Sequence, residues 1–244
     1  MPVSTEKNFD KKFSLFKEWL SSQNQFDNKN LIIEPHESSV ASGFSNETFV
    51  FSVKEKKGIK NLVLRLKPSG YQVFPDYDLK LQVDIMRVLN NNGFPTPNIL
   101  LYESNDEIIG SEFYLMDFIE GEAPSDNPPY HMDPQGMVAK ASKENRRNIW
   151  TEWLYYLNKL HLLDFKELNL SELDKRYSNN DPLNIDIDYY QNFLEWGMEG
   201  EPNELCEEVI EWLKRNKPKK HNEGRLCWGD SRPGNILYKD FKAT

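Results

Sequence analysis

Residues 227–237 read CWGDSRPGNIL, with Asp230 five positions ahead of Asn235. An acid and an amide at that spacing can divide the work of phosphoryl transfer: the carboxylate takes the proton of an attacking hydroxyl, and the amide oxygen holds a magnesium ion. The spacing alone has little specificity, since it recurs at Asp164/Asn169 and Asp174/Asn179. Context separates the third pair. RLCW in front reads as a buried strand, Gly229 and Pro233-Gly234 permit an irregular loop, and Ile236-Leu237-Tyr238 resume an extended run. The other pairs fall at a helix exit and in the polar segment behind it. An ordinary capped turn is the competing account of Asp230 and Asn235.

Phosphoryl transfer asks a protein mainly for positioning and charge neutralisation, so a basic side chain on a sheet is the next part to seek. In NLVLRLK (61–67), Leu62, Leu64 and Leu66 share one face of a strand, which puts Val63 and Arg65 on the other. This strand pairs with ETFVFSV (47–53) through the turn KEKKG as a hairpin, whose lead-in is SSVASGFSN. The plain alternative for Arg65 is a surface arginine on an amphipathic hairpin. FSLFKEWLSS (13–22) has helical spacing. DLKLQVDIMRVLNNNG (78–93) predicts a helix packed on two sides and stopped by Gly93. FPTP breaks the chain, and NILLYE (98–103) and SEFYLMDFIEG (111–121) give two further strands.

Beyond them, APSDNPPYHMDPQG (123–136) suits an exposed loop or lid. IWTEWLYYLNKLHLL (149–163) then aligns Ile149, Trp153, Leu157 and Leu160 on one helical face, and YYQNFLEW (189–196) and ELCEEVIEWLK (204–214) are shorter amphipathic helices. The fold class is α+β, sheet first and helices second. The expected division is a sheet lobe with an N-terminal helix over residues 1–118 and a helical lobe over 119–244.

The chain has 244 residues, 38% of them hydrophobic, enough to bury a sizeable core. A formal charge of −9 opposes a nucleic-acid partner. The basic run KRNKPKKH (214–221) reads as a solvated connection between a helix and a strand. His36, His131, His161 and His221 are scattered without ligand spacing, and Cys206 and Cys227 read as packed thiols. No secretory or membrane-spanning stretch occurs, so the expected address is cytoplasmic, with no membrane partner.

WGDSRPGNILY resembles the catalytic loop of the aminoglycoside phosphotransferase and choline kinase family of kinase-like enzymes. Other segments resemble the family's parts in the same order. GFSNETFVF is similar to the nucleotide-covering hairpin, with Gly43, Phe44, Ser45 and Asn46 at its tip, and VLRLKP to the strand whose basic residue, here Arg65, meets the ATP phosphates. VFPDYDLKLQVDIMRVL resembles the helix whose acid pairs with that basic residue, here Gln82; FYLMDFIEG resembles the adenine hinge at Met116, Asp117 and Phe118; LNKLH resembles the helix end before the catalytic region. The resemblance implies a bilobal protein-kinase-like fold, ATP and Mg2+ as cofactors, and a small molecule bearing a hydroxyl as substrate. It makes Asp230 the base, with Arg232 beside it in the catalytic set, and Asn235 the metal ligand.

Three departures stand out. Arginine replaces the more frequent lysine at 65, and its fork still suits phosphate oxygens. Gln82 forms no ion pair with Arg65. Trp228 replaces the histidine common before Gly-Asp, a structural exchange.

The family's second metal-binding aspartate has no counterpart here. Asp240-Phe241 follows Asn235 too soon for a strand, a turn and a second strand, so Asp240 reads as a turn acid. KDFKAT leaves room for a turn but not for a returning strand, which would put Ile236 and Leu237 on an unpaired apolar edge. The expectation is a fold incomplete at its C-terminus. The leading function is an ATP- and magnesium-dependent phosphotransferase acting on a small-molecule hydroxyl. The alternatives are a non-catalytic nucleotide-binding module, a pseudokinase or fragment, and an interaction protein. Acidic composition fits amine-bearing substrates, whereas VFPDYDL leans toward hydroxyacyl thioesters, which the family also includes. Oligomeric state is not legible.

Overall fold

A computed structural model describes residues 6–24, 26, 31–40, 47–56, 58–68, 72–164, 167–168, 170, 181–219 and 225–244. The chain divides into two compact units, residues 1–92 with 96–118, and residues 93–95 with 119–244.

In the first unit, α1 (Glu6–Ser22) carries Phe13, Phe16 and Leu20 on one stripe and buries all three. They pack on a five-stranded antiparallel sheet of order β1-β2-β3-β5-β4, formed by β1 (Ile32–Val40), β2 (Glu47–Glu55), β3 (Gly58–Leu66), β4 (Ile99–Glu103) and β5 (Phe113–Asp117). The expected alternation of β3 holds. Leu62, Leu64 and Leu66 join Phe51, Phe113 and Leu115 under α1, while Val63 lies in a second cluster with Tyr114, Met116 and the helix α2 (Leu79–Asn91). The Phe16 ring meets Phe51 edge-on with centroids 5.2 Å apart.

Asp78 caps α2 by accepting the Leu81 amide at 2.7 Å, and Gly93 past its end has φ of +71°, the left-handed conformation that stops a helix. Two expectations need correction. α2 buries only Leu79 and Val83, so it packs on one side; its other apolar residues are at most half-buried. The second concerns β1, which sequence patterning read only as a lead-in. IIEPHESSV has too few apolar residues to alternate visibly, and its Pro35 is tolerated because β1 is an edge strand with an irregular register between Pro35 and Val40.

In the second unit, α3 (Met137–Lys140) and α4 (Lys143–His161) precede two further helices, α5 (Pro182–Met198) and α6 (Glu204–Asn216). Ser142 caps α4 by accepting the Asn145 amide at 3.1 Å. The core consists of Met137, Ile149, Ile236 and Tyr238, with Trp150, Trp153 and Trp228 packed against it. Trp228 is thus a packing residue. α5 and α6 touch each other and bury no residue of their own.

The chain after α6 departs from expectation. Arg225–Trp228 forms no strand, with Arg225 and Cys227 exposed, so Cys227 is not a packed thiol. KDFKAT does return: β6 (Tyr238–Lys239) and β7 (Lys242–Ala243) pair antiparallel. Asp240 and Phe241, at φ of +52° and +62°, reverse the chain within two residues, the turn geometry suited to a hairpin. Asp240 is a turn residue, and Ile236 is buried in place of lying on an open edge. Among the described residues, no helix is long and apolar enough to cross a membrane.

Candidate functional site

The loop bearing Asp230 is pinned at both ends to α4. On one side, the Trp153 indole Nε1 donates to Ser231 Oγ at 2.9 Å. On the other, the buried Tyr238 hydroxyl donates to the Ile149 carbonyl at 3.2 Å, and the Ala243 amide donates to Glu152 Oε2 at 3.1 Å. Burial pushes the Tyr238 phenol above its ordinary value, and the nearby Glu152 carboxylate adds to the shift. Tyr238 also exchanges two backbone hydrogen bonds with Glu122, each 2.9 Å long. Gly121 permits this approach, because a Cβ there would stand 2.9 Å from Leu237 Cβ and 3.3 Å from the Tyr238 nitrogen.

Between these pins, a 3-10 turn over Pro233–Asn235 folds the loop onto itself. Asn235 Nδ2 donates to the Asp230 carbonyl at 2.8 Å, which brings the two residues together as their spacing predicts. An amide with its nitrogen so engaged keeps Oδ1 as an acceptor. The Asp230 side chain is 69% exposed, and Arg232 Nε stands 3.1 and 3.2 Å from its two oxygens. Arg232 Nη1 pairs in turn with Asp126 Oδ1 at 2.9 Å. Glycine at 234 leaves room for that acid: a Cβ there would lie 2.8 Å from Asp126 Oδ1.

Asp230 and Asp126 carboxylates and the Asn235 amide are hard oxygen donors of the kind magnesium takes. Among the described residues, no group of three or more His, Cys, Asp or Glu is placed to hold a metal. This donor set fits an ion that draws most of its ligands from phosphate oxygens and water, as magnesium commonly does.

In the first unit, Arg65 is half-buried on β3 between Thr48 of β2 and Tyr114 of β5. Burial raises the Tyr114 phenol, and the Arg65 charge opposes that shift. Gln82 is half-buried on α2, next to Val83, which packs with Val63 and Tyr114. Met116 is buried on β5, and Asp117 pairs with Lys60 at 2.6 Å. The Asp117 and Phe118 amides donate to the Asn98 and Asn61 carbonyls at 3.0 and 3.2 Å. Gly43, Phe44, Ser45 and Asn46 lie outside the described residues, as do Asn169, Asp174 and Asn179.

Sequence reasoning missed Asp126, Ser231 and Gly121. Asp126 sits in a proline-rich segment without periodicity, and its pairing with Arg232 spans more than a hundred residues, so no local signal reports it. Trp153 was visible on the apolar face of its helix, but its role as a donor was not.

A model of the phosphotransferase enzyme family matches residues 36–243. Acyl-CoA dehydrogenase family member 11 of Rattus norvegicus is 29% identical over 203 residues, which cover 81% of this chain and 23% of that protein. The chain spans about a quarter of the length of the curated relatives it matches. Among solved structures, a Ralstonia eutropha protein described as an aminoglycoside phosphotransferase superposes with a TM-score of 0.59 at 17% identity, over 93% of this chain and 60% of that one. An ethanolamine kinase of Plasmodium vivax gives 0.54 at 15% identity, over 93% and 57%. These likenesses show the protein-kinase-like fold.

Proposed function

The chain belongs to the phosphotransferase enzyme family, and we propose that it transfers the terminal phosphate of ATP to a hydroxyl group of a small molecule, with Asp230 as the base. The observation that carries this reading is the Asn235 Nδ2 bond to the Asp230 carbonyl at 2.8 Å, which fixes an exposed carboxylate and an amide oxygen in one loop.

Each residue has a role in that scheme. Asp230 accepts the proton of the attacking hydroxyl. Arg232 holds the Asp230 carboxylate by a contact of 3.1 Å and supplies positive charge beside the base, where the transferred group gathers negative charge. Asn235 Oδ1 is the amide ligand for magnesium, and the ion neutralises phosphate charge when bound. Arg65, in the first unit, neutralises the ATP phosphates. Gln82 holds that arginine by a hydrogen bond in place of an ion pair. Gly43, Phe44, Ser45 and Asn46 cover the nucleotide. Met116, Asp117 and Phe118 meet its adenine; the two amides already bonded to Asn98 and Asn61 leave carbonyls as the groups for the purine edge.

The acceptor favoured is a hydroxyacyl thioester. Relatives named for acyl-CoA dehydrogenation carry a segment like this chain, and consecutive steps on one thioester would explain the two chemistries in one polypeptide. Incubation with ATP labelled in its terminal phosphate and a panel of hydroxyacyl-CoA, ethanolamine, choline and an aminoglycoside tests the reading. Label should pass to the thioester, and Asn235→Ala should raise the magnesium concentration needed. Label reaching no acceptor, together with a magnesium-independent thermal shift by ADP, would instead favour a nucleotide-binding module without catalysis.

A further inference from the structure

Beside α4, in the second unit, lies a concave site of about 530 Å3 lined by Tyr130, His131, Val138, Arg146, Ile149 and Trp150, within the size range of small-molecule pockets. Its aromatic walls meet at right angles: the Tyr130 ring stands edge-on to Trp150 at 5.3 Å and to His131 at 5.6 Å. Perpendicular rings leave flat faces on which a planar group can stack.

The charge at this site runs against the rest of the chain. Residues 140–147 carry Lys140, Lys143, Arg146 and Arg147 with the single acid Glu144, in a protein of net charge −9. All four cations are exposed, and they flank the N-terminus of α4, where the helix dipole also favours an anion. Arg146 is the one that lines the cavity, and it is held in place: Nε donates to the Ala141 carbonyl at 3.1 Å and Nη2 to the Ala139 carbonyl at 3.2 Å. A guanidinium has five N–H donors, so three are left for a ligand in a fork whose plane is already set. Among the described residues, no carboxylate forms an ion pair with Arg146.

The cavity and the Asp230 loop share their scaffold. Ile149 lines the cavity and accepts the Tyr238 hydroxyl at 3.2 Å, and Trp150 packs against Trp153, whose indole holds Ser231. The segment that gives Asp126 to Arg232 reaches Tyr130 four residues later, a span of at most about 14 Å. One extended ligand can therefore occupy both places.

We propose that this site binds a phosphate-bearing planar group, the nucleotide-like end of the same acceptor molecule whose hydroxyl is presented to Asp230. Tyr130 and Trp150 take the flat ring, and Arg146 takes the phosphate. The assignment of that group to the acceptor rests on the phosphotransferase reading; the binding of the group does not.

The test uses the full chain with its nucleotide-donor site saturated by ADP. Coenzyme A and adenosine 3′,5′-bisphosphate are titrated calorimetrically into the wild type and the Arg146→Gln, Arg146→Lys, Trp150→Leu and Asp230→Asn variants. Both probes should bind the wild type and Asp230→Asn, weaken at least tenfold in Arg146→Gln and Trp150→Leu, and recover in part in Arg146→Lys. If Arg146 only caps α3, its loss would lower Tm while leaving probe affinity intact, which would overturn the proposal, as would a wild type that binds neither probe. A second measurement compares kcat/KM for a hydroxyacyl-CoA with that for the same acyl group on pantetheine, which lacks the nucleotide. Arg146→Gln should reduce that ratio at least tenfold; an unchanged ratio would make the bound group a separate nucleotide and overturn its assignment to the acceptor. Absence of phosphoryl transfer with Arg146-dependent binding intact would count against the enzymatic reading and support the site.

Discussion

Arg232 ties two acids into one device, with Nε on Asp230 at 3.1 Å and Nη1 on Asp126 at 2.9 Å. Both pairs are half-exposed, so their worth to stability is small and their effect is on where the Asp230 carboxylate points. Gly234 is the residue through which this can be disturbed without touching a charge. Gly234→Ala would bring a methyl to 2.8 Å from Asp126 Oδ1 and force that carboxylate off Arg232. The expected outcome is a lower kcat with Tm shifted by no more than a few degrees, read by steady-state kinetics and a thermal melt; an unchanged kcat would mean that Asp126 does not position the Asp230 carboxylate. Tyr238 behaves differently, because it is buried. Its folded-state pKa lies above the ordinary phenol value of about 10, so its contribution is fully present below pH 10 and is lost as pH rises through the folded value. Burial shifts Tyr102, Tyr114 and Tyr156 in the same direction. Chemical denaturation between pH 8 and 11 should therefore show stability falling above about pH 10. Tyr238→Phe should reduce that fall and cost about 1 kcal/mol at neutral pH through the lost bond to Ile149. An identical alkaline slope in the variant would contradict the assignment.

At the scale of elements, α4 is the support on which the Asp230 loop and the terminal hairpin are mounted, through Ile149, Glu152 and Trp153. Trp153→Phe keeps the apolar body and removes the donor to Ser231. Its effect should fall on kcat more than on Tm, and a loss confined to stability would show that the bond does not position the loop. The α5–α6 pair presents a contrasting case. Leu205, Val209 and Trp212, 70%, 48% and 59% exposed, share one face of α6, and the first two line an apolar groove with Tyr190 of α5. Such a surface is expected to promote self-association of this chain at high concentration. Trp212→Glu should lower light scattering while changing stability by less than about 0.5 kcal/mol; scattering equal to that of the wild type would contradict this account.

For the whole molecule, legibility followed the range of the interactions. The two faces of β3, the capped α2 and the apolar stripe of α4 were readable because each depends on a period of two or of 3.6 residues. β1 was hidden by Pro35 and its polar neighbours, since its place comes from pairing with β2 and not from its own pattern. The terminal hairpin was hidden because Asp240 and Phe241 adopt left-handed backbone without a glycine to announce it. The contact of Asn235 with Asp230 spans five residues and was legible, whereas that of Asp126 with Arg232 spans about a hundred and was not. In the proposed reaction, everything turns on the carboxylate of Asp230. The single-turnover rate of phosphoryl transfer from saturating ATP and magnesium to the acceptor, wild type against Asp230→Asn, tests it most directly. The exchange removes an exposed carboxylate without altering the packing, so the rate should fall by about 10²- to 10⁴-fold with Tm preserved. A variant that transfers phosphate as fast as the wild type would contradict the account.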